Sequence, residues 1–140
     1  MDAVRIATSG LDVEWQRLQV IAQNLANMNS TRNADGSVYH PMTLVSGADA
    51  RFGAVVDSSG LAPTGVHVID IEPQSNGLRQ VYQPNHPQAD ASGFVTYPNV
   101  DHAAEMTLMI KASRAYEANL VTVSVAQQMY LHALDIGRQS

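Results

Sequence analysis

Apolar residues recur every seven positions through the last third of the chain, from Val100 to about Gly137. Met109, Tyr116, Val123 and Tyr130 form one series. Met106, Leu120 and Leu134 fall three residues earlier in the same frame, with Ser113 and Gln127 interrupting them. This imperfect heptad seam predicts a helix packed lengthwise on another helix, and the same periodicity also fits the core face of an ordinary bundle. Nothing interrupts the helix: no Pro follows Pro98, and no Gly lies between Gly93 and Gly137. Asp101 is placed to cap its start, and Gly137 to end it in a left-handed turn. Helical throughout, the segment would be roughly 55 Å long. That is too long for a compact domain of this size to cover by itself.

The N-terminal stretch from Asp2 to about Asn29 shows the same pattern. Val4, Leu11, Leu18 and Leu25 are seven apart, and Ala7, Ile21 and Met28 hold the companion position, with Glu14 as the exception. Trp15 and Ala22 widen the stripe. Gly10 costs about 1 kcal/mol against Ala in a helix interior, which predicts loose first turns. Both ends of the chain therefore carry one kind of helix, and the economical expectation is that they pair. The fold class expected is α+β: residues 1–29 and 100–138 form a coiled-coil-like stem, and residues 30–99 form a small β-rich excursion.

The excursion holds all six prolines. Asn33-Ala34-Asp35-Gly36 is a turn signal. Val38 to Val45 reads as a strand weakened by Pro41, and Arg51 to Val56 as a short apolar candidate. Val66 to Glu72 is the best strand, with Val66, Val68, Asp70 and Glu72 on one side. The turn Pro73-Gln74-Ser75-Asn76-Gly77 then predicts a hairpin between it and Leu78–Tyr82. Phe94 to Tyr97 is a last short strand.

Charge changes this picture. From Ala118 to Leu134 there is no charged residue, and none lies between Arg17 and Arg32. A helix covered on one side only keeps its outer face wet with Lys, Glu and Arg. These faces carry Gln16, Gln19, Gln23, Asn24, Asn27 and Asn29 on the first helix, and Asn119, Thr122, Ser124, Gln127, Gln128 and His132 on the second. Such neutral, amide-rich faces are better explained by contact with further protein, yet they are too polar for a membrane span. Leu11, Leu18, Ile21, Leu25, Met109, Tyr116, Leu120, Val123, Tyr130 and Leu134 are accordingly expected in helix packing, with Leu18, Leu25, Leu120 and Val123 facing the stem interior. Asn24, Asn27, Asn119 and Gln128 are expected in or beside subunit contacts.

The 140 residues suffice for one domain with a modest core. A net charge of −5 and a single lysine, Lys111, argue against nucleic acid or anionic membrane as partner. There are no cysteines, hence no disulfide or thiolate metal site. Arg5, Asp12, Glu14 and Arg17 interrupt the N-terminus, which lacks the apolar core of a cleaved secretory signal. The five histidines, His40, His67, His86, His102 and His132, are scattered without ligand spacing, so no metal or cofactor is expected. No nucleophile elbow, phosphate loop or spaced carboxylate pair is present, and the chain reads as a non-enzyme.

Two stretches carry a family resemblance. The run Val81-Tyr82-Gln83-Pro84-Asn85-His86-Pro87-Gln88-Ala89-Asp90-Ala91-Ser92-Gly93-Phe94-Val95, then Tyr97-Pro98-Asn99-Val100-Asp101, is similar to the signature of the FlgC family of bacterial flagellar basal-body rod proteins. So are Glu105-Met106, Met109-Ile110, Ala112 to Asn119, and Ala133 to Arg138. At the other end, Arg17-Leu18, Ala22, Asn24 to Asn27, Asn29-Ser30-Thr31, Asp35-Gly36 and Tyr39 match the family's N-terminal pattern. Asn24 to Asn27 also resembles the Asn-hydrophobic-Ala-Asn motif of the wider flagellar axial family. His40-Pro41-Met42 and residues 43–64 depart from the pattern.

The resemblance implies a self-assembling structural subunit of the proximal rod, the drive shaft crossing the periplasm. It implies contacts with copies of itself and with other proximal and distal rod proteins. It also implies passage through the flagellar type III export apparatus without a cleaved signal, and no insertion into membrane. The alternative is a non-catalytic binding or adaptor module that kept the rod-protein fold.

Overall fold

The fold is given by a computed structural model, which describes residues 2–48 and 65–138. Two helices flank two small hairpins. Helix α1 spans Asp2–Asn27, and strands β1 (Met42–Ala48), β2 (Val66–Pro73), β3 (Leu78–Tyr82) and β4 (Phe94–Pro98) follow. Helix α2 then runs from His102 to Arg138. This is the α+β arrangement that the two heptad-patterned ends imply.

Helix α2 starts where its cap predicts. Asp101 Oδ1 accepts hydrogen bonds from the amides of Ala103 (3.0 Å) and Ala104 (3.1 Å), two of the donors a helix start leaves unpaired. Gly137 does not end it. The helix continues through Gly137 to Arg138, and no positive φ occurs there.

The helices lie antiparallel. Asn24 bonds Glu105, Trp15 meets Tyr116, and Gly10 abuts Asn119, so one helix descends as the other rises. These pairs set Asp2 level with about residue 127. The last ~11 residues of α2 therefore project roughly 16 Å beyond its partner.

On its other side α1 carries the first hairpin. Val13 and Val20 pack on Leu44 of β1, with Met42 and Val68 against them. Ser9 fixes the far end: its hydroxyl donates to Ile6 O (2.7 Å) and accepts from the amide of Val66 (3.0 Å). Gly65, at φ 107°, leaves room for this approach, since a Cβ there would collide with Ser9 Oγ. Arg17 ties in the middle, donating to Leu44 O (3.2 Å) and Ser46 Oγ (2.8 Å).

Strand pairing differs from the local expectation. β2 pairs antiparallel with β1, and β3 with β4. The segment 74–77 is thus a crossing between two hairpins rather than the turn of one. Its polar groups are engaged outside it: the Gln74 amide donates to Pro41 O (2.8 Å), and Asn99 donates to Gly77 O (2.8 Å) and Asn76 O (2.9 Å). Val68 packs with Leu44 against α1, which draws β2 to β1 despite the longer connection. A register shift between Val45 and Ser46 makes Ile69 the extra residue of β2 and breaks the expected alternation. Ile69 and Ile71 stay exposed.

The first strand begins only at Met42, after the buried Pro41, which has no amide to give a ladder. The Arg51–Val56 candidate lies outside the described residues.

Candidate functional site

The seam between the helices uses one of the two expected series. On α2 the covered positions include Glu105, Met109, Ala112, Tyr116, Asn119, Val123 and Ala126, spaced alternately by four and three, with Ser113 and Ala115 half-buried beside them. Met109, Tyr116 and Val123 are where the heptad places them. The companion series is set one residue earlier than the large apolar side chains suggest: Glu105, Ala112, Asn119 and Ala126 replace Met106, Ser113, Leu120 and Gln127. Leu120 is 52% exposed and does not face the stem interior; Met106 and Leu134 are also turned outward.

The cause is close approach. Ala7 and Ala112 are buried, and a Cβ added at Gly10 would stand 2.7 Å from Asn119 Nδ2. The Asn119 side chain fills the space beside Gly10, so small residues take this half of the seam while Met109, Tyr116 and Val123 take the other. Gly10 is therefore not a loose point in α1 but a buried contact. On α1, Ile21 is buried and Leu11, Leu18 and Leu25 are half-buried. Trp15 is exposed along one side and rests on Tyr116, with ring centroids 6.4 Å apart.

Asn24 and Asn119 are not outer-face residues. Asn24 is 1% exposed and makes four hydrogen bonds. Its Nδ2 donates to Met42 O (2.8 Å) and Glu105 Oε1 (3.1 Å). Its Oδ1 accepts from Tyr39 OH (2.8 Å) and the Met42 amide (2.9 Å). Gln74 Nε2 also donates to Glu105 Oε1 (3.1 Å). The Asn24–Glu105 pair thus joins both helices, the approach to β1 and the crossing at Gln74. Burial, and next the Glu105 charge, push the Tyr39 hydroxyl above its ordinary pKa. Sequence reasoning missed this cluster because Asn and Glu are expected on wet faces. The available signal was register: Glu105 continues the Ala112–Asn119–Ala126 series exactly seven residues up the frame. Asn27 is half-buried at the end of α1, where its Nδ2 donates to Gln23 O (2.9 Å) and its Oδ1 accepts from Ser30 Oγ (3.3 Å).

The far end of α2 is different in kind. From Gln127 to Gly137 every residue is exposed, Gln128 and Tyr130 included. Leu120, Val121, Val125, Met129, Tyr130, Leu131 and Leu134 are all at least 47% exposed. At 100° per residue they are distributed around the whole helix, not along one stripe. No charge lies among them. An apolar surface of this extent, without charges to keep it wet, marks an interaction site.

Among the described residues no group of His, Asp and Glu could hold a metal ion. No described helix is long and apolar enough to cross a membrane.

Known proteins resemble this chain along nearly its full length. Residues 4–34 match the family described as "Flagella basal body rod protein", and residues 91–136 match "Flagellar basal body rod FlgEFG protein C-terminal". The flagellar basal-body rod protein FlgC of Escherichia coli O6:H1 is 38% identical over 133 residues, covering 95% of this chain and 94% of its own. The protein of that name from Salmonella typhimurium is 37% identical with the same coverage. That from Bacillus subtilis is 32% identical over 145 residues, covering 97% of both chains. The two family-matched segments contain most of both helices, with Asn24 in one and Glu105 in the other.

Proposed function

The chain belongs to the FlgC family of flagellar basal-body rod proteins, and from that membership we propose how it works as a structural subunit of the rod. Its two terminal segments, residues 1–29 and 100–138, are the assembling stem, and residues 30–99 are an excursion presented to other neighbours. The observation that carries this reading is the charge-free, all-round apolar surface of α2 from Leu120 to Leu134. Copies of the chain and other rod proteins, proximal and distal, cover that surface. Leu120, Gln128, Tyr130 and Leu134 meet neighbours, and Asn27, at the other end of the stem, lies beside a subunit contact there. Leu11, Leu18, Ile21, Leu25, Met109, Tyr116 and Val123, with Asn24 and Asn119, hold the stem of one subunit together.

In this reading the protein catalyses nothing and needs no cofactor. It reaches the periplasm-spanning rod through the flagellar export apparatus, without a cleaved signal. Asn and Gln suit the covered faces because their amides can be satisfied by neighbouring groups, whereas a buried unpaired charge is costly. Complementation of a deletion strain of the source bacterium tests the reading. The expected result is restored motility, with the chain present in purified basal bodies. Normal motility and normal rods in the deletion strain itself would overturn it.

A further inference from the structure

The seam between the helices carries polar groups where apolar ones would stabilise it more. Glu105 is 5% exposed, and its Oε2 is buried with no hydrogen-bond partner. Its Oε1 accepts from Asn24 (3.1 Å) and Gln74 (3.1 Å). A buried carboxylate held by neutral amides adds little stability, and the best-attested use of such a group is to fix one pairing among several. The second polar group of the seam is Asn119, whose amide fills the place of the missing Cβ at Gly10. These two contacts belong to a single register. Gly10 stands two heptads before Asn24 on α1, and Asn119 stands two heptads after Glu105 on the antiparallel α2.

The rest of the seam does not single that register out. Were α2 to slide one heptad, about 10 Å, toward the C-terminal end of α1, the same faces would stay in contact. Ala126 would meet Gly10, Ala112 would meet Asn24, and Tyr130 would take the place that Val123 holds. The slide would exchange Glu105 in the seam for Tyr130 and Ala133, so it covers more apolar surface. It would also draw α2 in beside α1 as far as about Leu134, closing one side of the exposed end. Among the described elements, the β3–β4 hairpin that leads into α2 packs closely on neither helix, so hairpin and helix could travel together. What the slide loses is the polar pairing: Asn24 would face an alanine, and Asn119 would leave Gly10 for Arg17.

We propose that Glu105 on Asn24 and Asn119 on Gly10 form a register lock, which holds α2 one heptad out along α1 and so keeps its apolar end open to neighbours. Glu105 and Asn119 are positioning residues in this device. They act by where they place Tyr130 and Leu134, not by touching a partner. The use made of the open end rests on the rod-subunit reading. The lock itself is tested on the free chain, so either can fail without the other.

The chain has no cysteine, so Gln23→Cys and Ser124→Cys place spin labels at two exposed positions and nowhere else. These positions lie about 27 Å apart along the helix axis in the observed register, and about 16 Å apart after a one-heptad slide. Pulsed EPR on the full labelled chain should give a single, long distance. Glu105→Ala with Asn119→Ala leaves alanine at every position of the series that holds Ala112, Ala126 and Ala133, and a population about 10 Å shorter should appear. Glu105→Gln, which still accepts from both amides, should keep the long distance. Adding Ala112→Glu and Ala126→Asn to the two alanine changes moves the lock one heptad along α2, and the short distance should become the major one. This relocated variant decides the matter even if the two alanine changes alone cost helix. A relocated variant that keeps the long distance, or that does not fold, would overturn the lock. So would a folded double-alanine variant with the long distance unchanged, or a short distance with Glu105→Gln.

Discussion

Asn24 has two donors and two acceptor positions, and all four are used within one subunit. Asn24→Ala would leave the Met42 amide, the Tyr39 hydroxyl and part of the Glu105 carboxylate without partners. Each buried group so stranded costs about 1–3 kcal/mol, so a loss of about 2–4 kcal/mol in urea unfolding is expected, allowing for some rehydration. A loss below about 0.5 kcal/mol, the range of ordinary surface changes, would remove Asn24 from the structural centre. Tyr39 makes the same cluster sensitive to alkali. Its folded pKa is raised above the ordinary 10.0, first by burial and then by Glu105. Above that ordinary value the unfolded chain loses the proton while the folded one keeps it. Stability present at neutral pH is therefore lost as pH rises through the folded pKa. Tyr39→Phe, which cannot titrate, should be less stable than wild type at pH 7, and the gap should narrow above pH 10. A gap constant across that range would contradict the assignment.

At the scale of the element, the approach of α1 to α2 is set by Gly10 against Asn119. Gly→Ala inside a helix ordinarily gains about 1 kcal/mol. Gly10→Ala should lose that gain, because the new Cβ would meet Asn119 Nδ2 at 2.7 Å. Adding Asn119→Ala should restore it, a coupling that a double-mutant cycle measures directly. Leu120, 52% exposed, should tolerate Ala at a cost below about 1 kcal/mol in the free subunit. Ile21→Ala, at a site 4% exposed, should cost about 2–5 kcal/mol.

Both helices, the cap of α2 at Asp101, and the series Met109–Tyr116–Val123 were legible because periodicity and capping are local. The companion series was not, because heptad reading assumes that the largest apolar residues fill the seam. Here the Asn119 side chain packs on Gly10, and the small Ala7 and Ala112 are buried where larger residues were expected. The mis-paired hairpin has a similar origin. A short turn signal at 73–77 favours β2 with β3, but only packing on Val13 and Val20 decides that β2 joins β1.

On the scale of the whole molecule, the buried apolar core is small: Val13, Val20 and Leu44 at its centre, with Met42 and Val68 around them. Most of α2 contributes nothing to it. The chain folds around α1, while the last ~11 residues of α2 project beyond it as a helix that carries no charge before Asp135. Isolated helices of that length are marginal in water. The account therefore places the stability of this segment in the assembly rather than in the subunit. The measurement that tests this most directly is Gln128→Lys, read in two ways on one strain. In the free chain the change lies on an exposed surface and should shift stability by no more than about 0.5 kcal/mol. In the rod the same lysine would be buried without a partner, at a cost of several kcal/mol. The account predicts a stable, exported subunit that builds no rod and leaves the cells non-motile. Full motility with normal rods carrying lysine at position 128 would contradict it.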